Sequence, residues 1–478
     1  MTPSFSTIAS RRFGYGMRPG EDAPDDVDDM MAQLPKAMKS APRFPREGIT
    51  GRRETAGRLL SVRAVEAKAA LDGRPNVALR KETQKEADRI FERDALGRIT
   101  QAVYSPYGFY ERLATFWMDH FAVNARKVYE THMIVPLFEA EAIRPNLAGP
   151  FSKLLKAAIL HPAMLIYLDQ ERVEATANEP EAPGAPALNE TLGRDLLDLH
   201  TMGADAGYSV EDLRGVSFIL AGLSVDNRSL EIAYRPRGRT NGMALFGRTY
   251  TGGSDDHQRM LEDLAVRPET ARFICRKLVS HFISDDPPAE VVEPMLAAWT
   301  ESNGDLTRVY RAMLDQPRAW SGEMSKVIPP FDFVVTGLRA FELKPGEFQA
   351  LAKAMESGVG EEAMPMTGKG VMRDKPGVAR ALTIEALKRM GQPVWQPPSP
   401  AGFSDRTDAW LSPGQISERI GWARMAARAL GRDVEPEEFV EAALGDGARD
   451  VTRELVLAAP TKVHALTLAL ASPEFNRR

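Results

Sequence analysis

Apolar side chains recur every three and four residues along most of the chain, which is the repeat of helices that bury one face. Phe109, Leu113, Phe116, Trp117 and Phe121 form the clearest such stripe and predict a core-facing helix over 109–125. From Ala56 to Tyr104 the chain is rich in Ala, Leu, Arg, Glu and Lys and is broken only by Gly73-Arg74-Pro75-Asn76, so two long surface helices joined by a turn are expected. Further helix starts are marked by capping residues. Asn189 opens one that closes at Gly203, and Ser209 opens the next, with Glu211 and Asp212 in its first turn. Ser254-Asp255-Asp256 begins a helix to about Ala265, and Arg267-Pro268-Glu269-Thr270 begins another through His281. Pro329-Pro330 precedes an apolar helix over Phe331–Phe341, and Ser412-Pro413-Gly414-Gln415 has capping-box spacing with Pro at the first helical position.

Strand patterning is scarce. Ser229–Tyr234 and Thr249–Thr251 are expected to pair across an Arg- and Gly-rich loop, giving at most a small β-hairpin near 229–251. Residues 344–376 mix Gly, Lys, Glu and Met without periodicity and are read as a flexible surface excursion. The fold class is therefore mainly α, a large helix-bundle-like single unit over 31–478 preceded by an N-terminal arm over 1–30. No internal repeat of fixed period is present.

Composition narrows the class. Lys and Arg number 61 against 66 Asp and Glu, a net charge of −5, which argues against a strongly basic nucleic-acid-binding chain. Hydrophobic residues at 43% and charged residues at 27% are the balance of a folded chain. The single cysteine, Cys275, cannot form an intramolecular disulfide and lies in a helical pattern where a small buried thiol is expected. Ser10-Arg11-Arg12-Phe13 has the look of a twin-arginine signal, yet Gly14, Gly16, Pro19 and an acidic stretch follow instead of an apolar run. No window reaches the roughly 18 apolar residues of a membrane span. A cytoplasmic location is the expectation.

Several segments together resemble a known family. Ala163–Asp169, Asn189–Gly203, Phe116–Phe121, Arg267–Phe273, and Met390–Pro398 with Trp410–Ser412 are similar, in order and spacing, to the bacterial family catalogued as domain of unknown function 1800. The resemblance implies a bacterial origin and a helical fold, and no established activity. It also implies a partner: members are often encoded beside a second family that looks like a phosphatase or sulfatase relative. Many are exported, which makes the periplasm the alternative location. This chain departs from the pattern at Gly193 and Asp195, where Ala and Glu are usual, and near Arg237-Gly238-Arg239, where many members carry a His-Asp pair.

The candidate chemistry falls in two places. Glu190, Arg194 and Asp198 form one helical stripe, readable as a solvated salt-bridge ladder. The functional alternative places Glu190 and Asp195 in a cleft held by Arg194, with His200 as acid or base and His120 converging from the aromatic helix. His120 can equally be a satisfied core histidine. The second place is the Arg-rich middle: Arg237, Arg239 and Arg248 precede Gly252, Gly253 and Ser254, whose amides open a helix and suit a phosphate, sulfate or carboxylate. Asp255 and Asp256 could instead cap that start themselves. The seven histidines show no metal-sharing spacing, and P-loop, dinucleotide, nucleophile-elbow and zinc-protease motifs are missing, so no metal or cofactor is assigned. Two functions stay open: a binding or assembly protein acting with a protein partner, and a hydrolase-like enzyme built from the 116–124 and 189–200 helices.

Overall fold

In the computed structural model, the described residues are 3–170, 188–226, 229–236, 243–344, 346–348, 352 and 376–478. The expected excursion over 344–376 lies mostly outside them. Helices dominate, and a single contiguous cluster of buried apolar side chains runs from Ala9 to Phe475. One core of this extent makes the helical chain a single unit.

The helices Gly48–Leu71 and Val77–Tyr104 form the long N-terminal pair, joined by a turn in which Gly73 takes φ +76° and Asn76 caps the second helix through Leu79 N–H. The aromatic helix Gly108–His120 follows, its Phe109, Leu113, Phe116 and Trp117 stripe fully or almost fully buried. Tyr129–Phe138 continues into a π turn at Glu139–Ile143, which carries the fully buried Glu139 inward. The capping boxes at Ser209/Asp212 and Ser412/Gln415 form as the spacing predicts.

Residues 1–30, expected as an arm, supply the helices Phe5–Arg12 and part of Val27–Ala37. Phe13 is fully buried and stacks on Phe282 at 5.5 Å, while Arg12 donates to the carbonyls of Ala319, Ser321 and Glu323 at 2.6–2.8 Å. The strand pairing differs from expectation. Ile232–Tyr234 pairs with Leu223–Val225, and Arg248–Tyr250 pairs with Met243–Leu245, so two local antiparallel hairpins replace one long-range pairing. Each closes a short loop, at less entropic cost than bridging the Arg-rich stretch.

Two approaches position the site. Helix Pro268–Phe282 lies so close to the turn after His200 that a Cβ on Gly203 (φ +87°) would come within 2.8 Å of the Phe273 ring. The loop 399–405 passes over the end of the aromatic helix in the same way, with Gly402 (φ +85°) against Asp119.

Candidate functional site

The last turn of the aromatic helix points two adjacent side chains in different directions. His120 turns inward. Its Nδ1 accepts from Lys277 Nζ at 3.2 Å, which leaves Nε2–H to donate to the His200 carbonyl at 3.2 Å. His200 returns the bond through Nδ1–H to the His120 carbonyl at 2.9 Å. His200 is presented by a π turn, Leu196–His200, that ends the helix begun at Glu190. Burial holds both imidazoles neutral, His120 well below its ordinary range and His200 down at about 3, with the Lys277 charge acting in the same direction.

The structure thus brings His120 and His200 together and leaves the other residues of that group elsewhere. Glu190 and Arg194 side chains are 40% and 53% exposed and 3.7 Å apart, a surface pair of small energetic weight. Asp195 is half-buried, and burial together with the charge of Asp198 raises its carboxyl to about 6. No hydrogen bond joins these three to either histidine.

Asp119, one residue earlier, lines a cleft that opens to solvent. Arg98, His281, Asp405, Phe331 and Trp395 share that lining. Asp119 Oδ1 accepts from Phe403 N–H at 2.8 Å, and a Cβ at position 402 would fall 2.5 Å from the Asp119 carbonyl oxygen, so a glycine is needed for the loop to approach. Asp405 Oδ1 accepts from His281 Nδ1–H at 2.6 Å. The opposite ring nitrogen, Nε2, accepts from Arg112 at 3.2 Å, which fixes the tautomer. Burial lowers the His281 imidazole to about 4, so it stays neutral. Behind it, Asp332 accepts from both Arg112 and Arg478.

The two carboxyls of the cleft are driven apart. Burial first, and then the negative charge of Asp405, raise Asp119 to about 7. Burial also works to raise Asp405, but His281, Lys277 and Lys326 outweigh it and hold that carboxyl at about 2. Near neutrality one is a proton donor and the other an anion. Trp395 adds a strained wall: its φ of +54° is sparsely populated for a side chain of this size, and it is held by Nε1–H donating to Glu139 at 2.6 Å.

The profile of the family described as "Protein of unknown function (DUF1800)" matches residues 8–477. The chain belongs to this family. No curated protein and no solved structure matches it. Within this DUF1800 protein the cleft draws on the family-like segments: Asp119 comes from Phe116–Phe121, Trp395 from Met390–Pro398, and His281 from the helix that begins inside Arg267–Phe273.

Asp119 follows Met118 one position before His120 and points about a third of a turn away from it, while Lys277, His281 and Asp405 carry no sequence signal of a site. Asp119 was legible as a carboxylate at the end of an aromatic helix, whereas Asp405 sits in a loop with no periodicity and reaches the site only through the fold. Among the described residues, no group of three His, Cys, Asp or Glu side chains is placed to hold a metal ion.

At the second candidate place, Asp256 Oδ2 accepts from Gly252 N–H at 2.7 Å and from Gly253 N–H at 3.0 Å. Ser254 Oγ donates to Asp255, and Arg248 pairs with Asp263. Asp256 therefore occupies two of the three amides expected to meet an external anion. Arg237 and Arg239 lie outside the described residues.

Proposed function

We propose that this DUF1800 protein is a hydrolase-like enzyme that works by general acid–base chemistry on a small polar substrate in the Asp119 cleft. The observation that carries the reading is geometric: Asp119 and Asp405 line one cleft, Asp405 bonded to His281 and Asp119 to Phe403 N–H, and burial and neighbouring charges push the two carboxyls in opposite directions. Asp119 is the proton donor. Asp405, oriented by His281, is the anion that stabilises developing positive charge or accepts a proton from water. The aromatic walls Phe331 and Trp395 supply apolar contact for the rest of the substrate.

The test is a panel of chromogenic esters, amides, glycosides and phosphate esters assayed with the wild-type chain, Asp119→Asn and Asp405→Asn. Turnover that declines as pH rises through about 7, and that falls about 10²-fold or more in a folded Asp119→Asn variant, supports the role. Unchanged turnover in that variant removes it. A carboxyl ¹³C titration gives a substrate-free check, because an Asp119 resonance titrating in the ordinary carboxylate range defeats the assignment.

A second reading, assembly with a protein partner, is favoured by apolar pairs one helical turn apart on two C-terminal helices. Ile416 and Ile420 are 42% and 47% exposed, and Val451 and Leu455 are 54% and 59% exposed. A partner such as the phosphatase- or sulfatase-like neighbour that the family resemblance implies would cover them. Ile420→Asp combined with Leu455→Asp would then abolish co-purification with that neighbour while leaving the fold intact.

A further inference from the structure

The long N-terminal helix pair carries a feature that the cleft does not use. Past its last buried side chains, Glu66 on one helix and Thr83 on the other, every residue from Ala70 to Ala78 is exposed. At 1.5 Å per residue the hairpin projects about 8 Å beyond those contacts. Leu71, at its end, is 90% exposed, and Val77 across the turn is 55% exposed. The turn itself is already satisfied by Gly73 and the Asn76 cap, so the fold gives no reason for a leucine at its summit.

Charge is concentrated at the same place. Residues 67–85 hold Lys68, Arg74, Arg80, Lys81 and Lys85 against Asp72 and Glu82, in a chain whose net charge is −5. All five cations are exposed. The ion pairs nearby, Arg58–Glu86 and Arg63–Glu66, use other residues, so the five cations are unpaired among the described residues.

We propose that this tip docks the protein peripherally on an anionic lipid surface. Leu71 and Val77 enter the boundary between headgroups and acyl chains, and the cations lie among the phosphates. Shape separates this occupant from an acidic protein. A stable protein interface covers about 800 Å² on each partner and needs a broad complementary face, whereas a narrow convex tip with two large apolar side chains offers little such area. A bilayer accommodates a convex tip, and each basic residue close to an anionic leaflet strengthens binding on the order of fivefold. Docking of this kind needs no membrane-crossing segment, and among the described residues no helix is long and apolar enough to be one.

The experiment is co-sedimentation of the full chain with vesicles of phosphatidylcholine alone and of phosphatidylcholine with about one third phosphatidylglycerol, at low and high salt. The wild type is expected to sediment with the anionic vesicles at low salt and to release at high salt. Arg80→Glu with Lys81→Glu should weaken binding about tenfold or more, and Leu71→Ser should weaken it while the salt dependence persists. Because these positions are exposed, circular dichroism and melting temperature should be unchanged in both variants. Absence of binding to anionic vesicles at low salt overturns the proposal, as does equal binding by wild type and the charge-reversed variant, or equal binding to both vesicle types. Retention on immobilised polyglutamate without vesicle binding overturns it too and assigns the tip to an acidic protein.

Discussion

His120 and His200 each donate a ring N–H to the other's main-chain carbonyl, a reciprocal clasp between the end of the aromatic helix and a π turn 80 residues later. Both rings are almost fully buried, at 2% and 0% exposure, and both are neutral. The pair satisfies two main-chain carbonyls at that junction, and it places the Lys277 ammonium against His120. From there Lys277 lies within electrostatic reach of both cleft carboxyls.

Truncating the clasp should therefore cost much more than removing the charged stripe beside it. His200→Ala removes a buried ring, strands the His120 carbonyl and leaves a cavity, for an expected loss of about 2–4 kcal/mol in urea unfolding. Glu190→Ala and Arg194→Ala should each stay within about 0.5 kcal/mol, because a half-exposed pair at long distance contributes little. Equal effects at the three positions would remove the clasp from the account of stability.

The buried histidine pair and Asp119 act in opposite senses on the pH dependence of stability. His120 and His200 have folded values below the unfolded histidine value of about 6.5, so the unfolded chain binds more protons in acid. Their contribution is complete above about 6.5 and is lost as pH falls toward the His200 value of about 3. Asp119 behaves in the reverse sense. Its folded value of about 7 lies above the unfolded carboxyl value, so its contribution is present in acid and is lost as pH rises to about 7. Asp119→Asn should thus steepen the fall in stability between about pH 7 and pH 4, and His200→Phe should flatten it. Urea midpoints at several pH values read both slopes.

What could be read from the sequence was local. The aromatic stripe, the Asn189, Ser209 and Ser412 caps and the turn at Gly73 all follow from spacing within one or two helical turns, and all form. The meeting of His120 with His200 was also anticipated, although as a catalytic convergence with Glu190 and Arg194. Helical spacing already sets His200 off the Glu190, Arg194 and Asp198 stripe, and the π turn Leu196–His200 that presents its ring to His120 has no signal in the spacing. The cleft was hidden for a different reason. Asp119, His281 and Asp405 are separated by more than 120 residues at each step, and their shared chemistry exists only after three distant segments pack.

Gly402 is the position at which backbone and site chemistry are joined. Alanine there must adopt φ near +85° and place its Cβ 2.5 Å from the Asp119 carbonyl oxygen. The expected cost is about 2 kcal/mol or more, part from the left-handed backbone and part from the contact. Displacement of the loop also weakens the Phe403 N–H bond that favours the ionised form of Asp119. The Asp119 carboxyl should then titrate higher than in the wild type, so any acid-limited activity would persist to higher pH. A ¹³C titration showing no upward movement would separate the loop from the control of Asp119.

Glu139 connects the cleft wall to the core. Fully buried in its π turn, it accepts from Arg98 at 2.7 Å, Trp395 at 2.6 Å and Arg144 at 3.0 Å, and Arg144 in turn donates to Glu111 at 2.8 Å. Glu139→Gln takes the carboxylate from Arg98, leaves Arg144 with Glu111 alone, and replaces an acceptor by an amide N–H facing a donor. Removing one partner of a buried ionic network in this way should cost about 3–5 kcal/mol. The loss should also reach the cleft, since Arg98 and Trp395 both line it and Trp395 would lose the bond that holds its strained backbone. Replacing Arg98 by Met together with Glu139→Gln takes out one uncompensated cation, so the double variant should recover part of the stability lost in the single one. A double-mutant cycle by chemical unfolding, with Trp fluorescence as the probe, measures that recovery; strict additivity of the two substitutions would mean that Arg98 and Glu139 do not act as a unit.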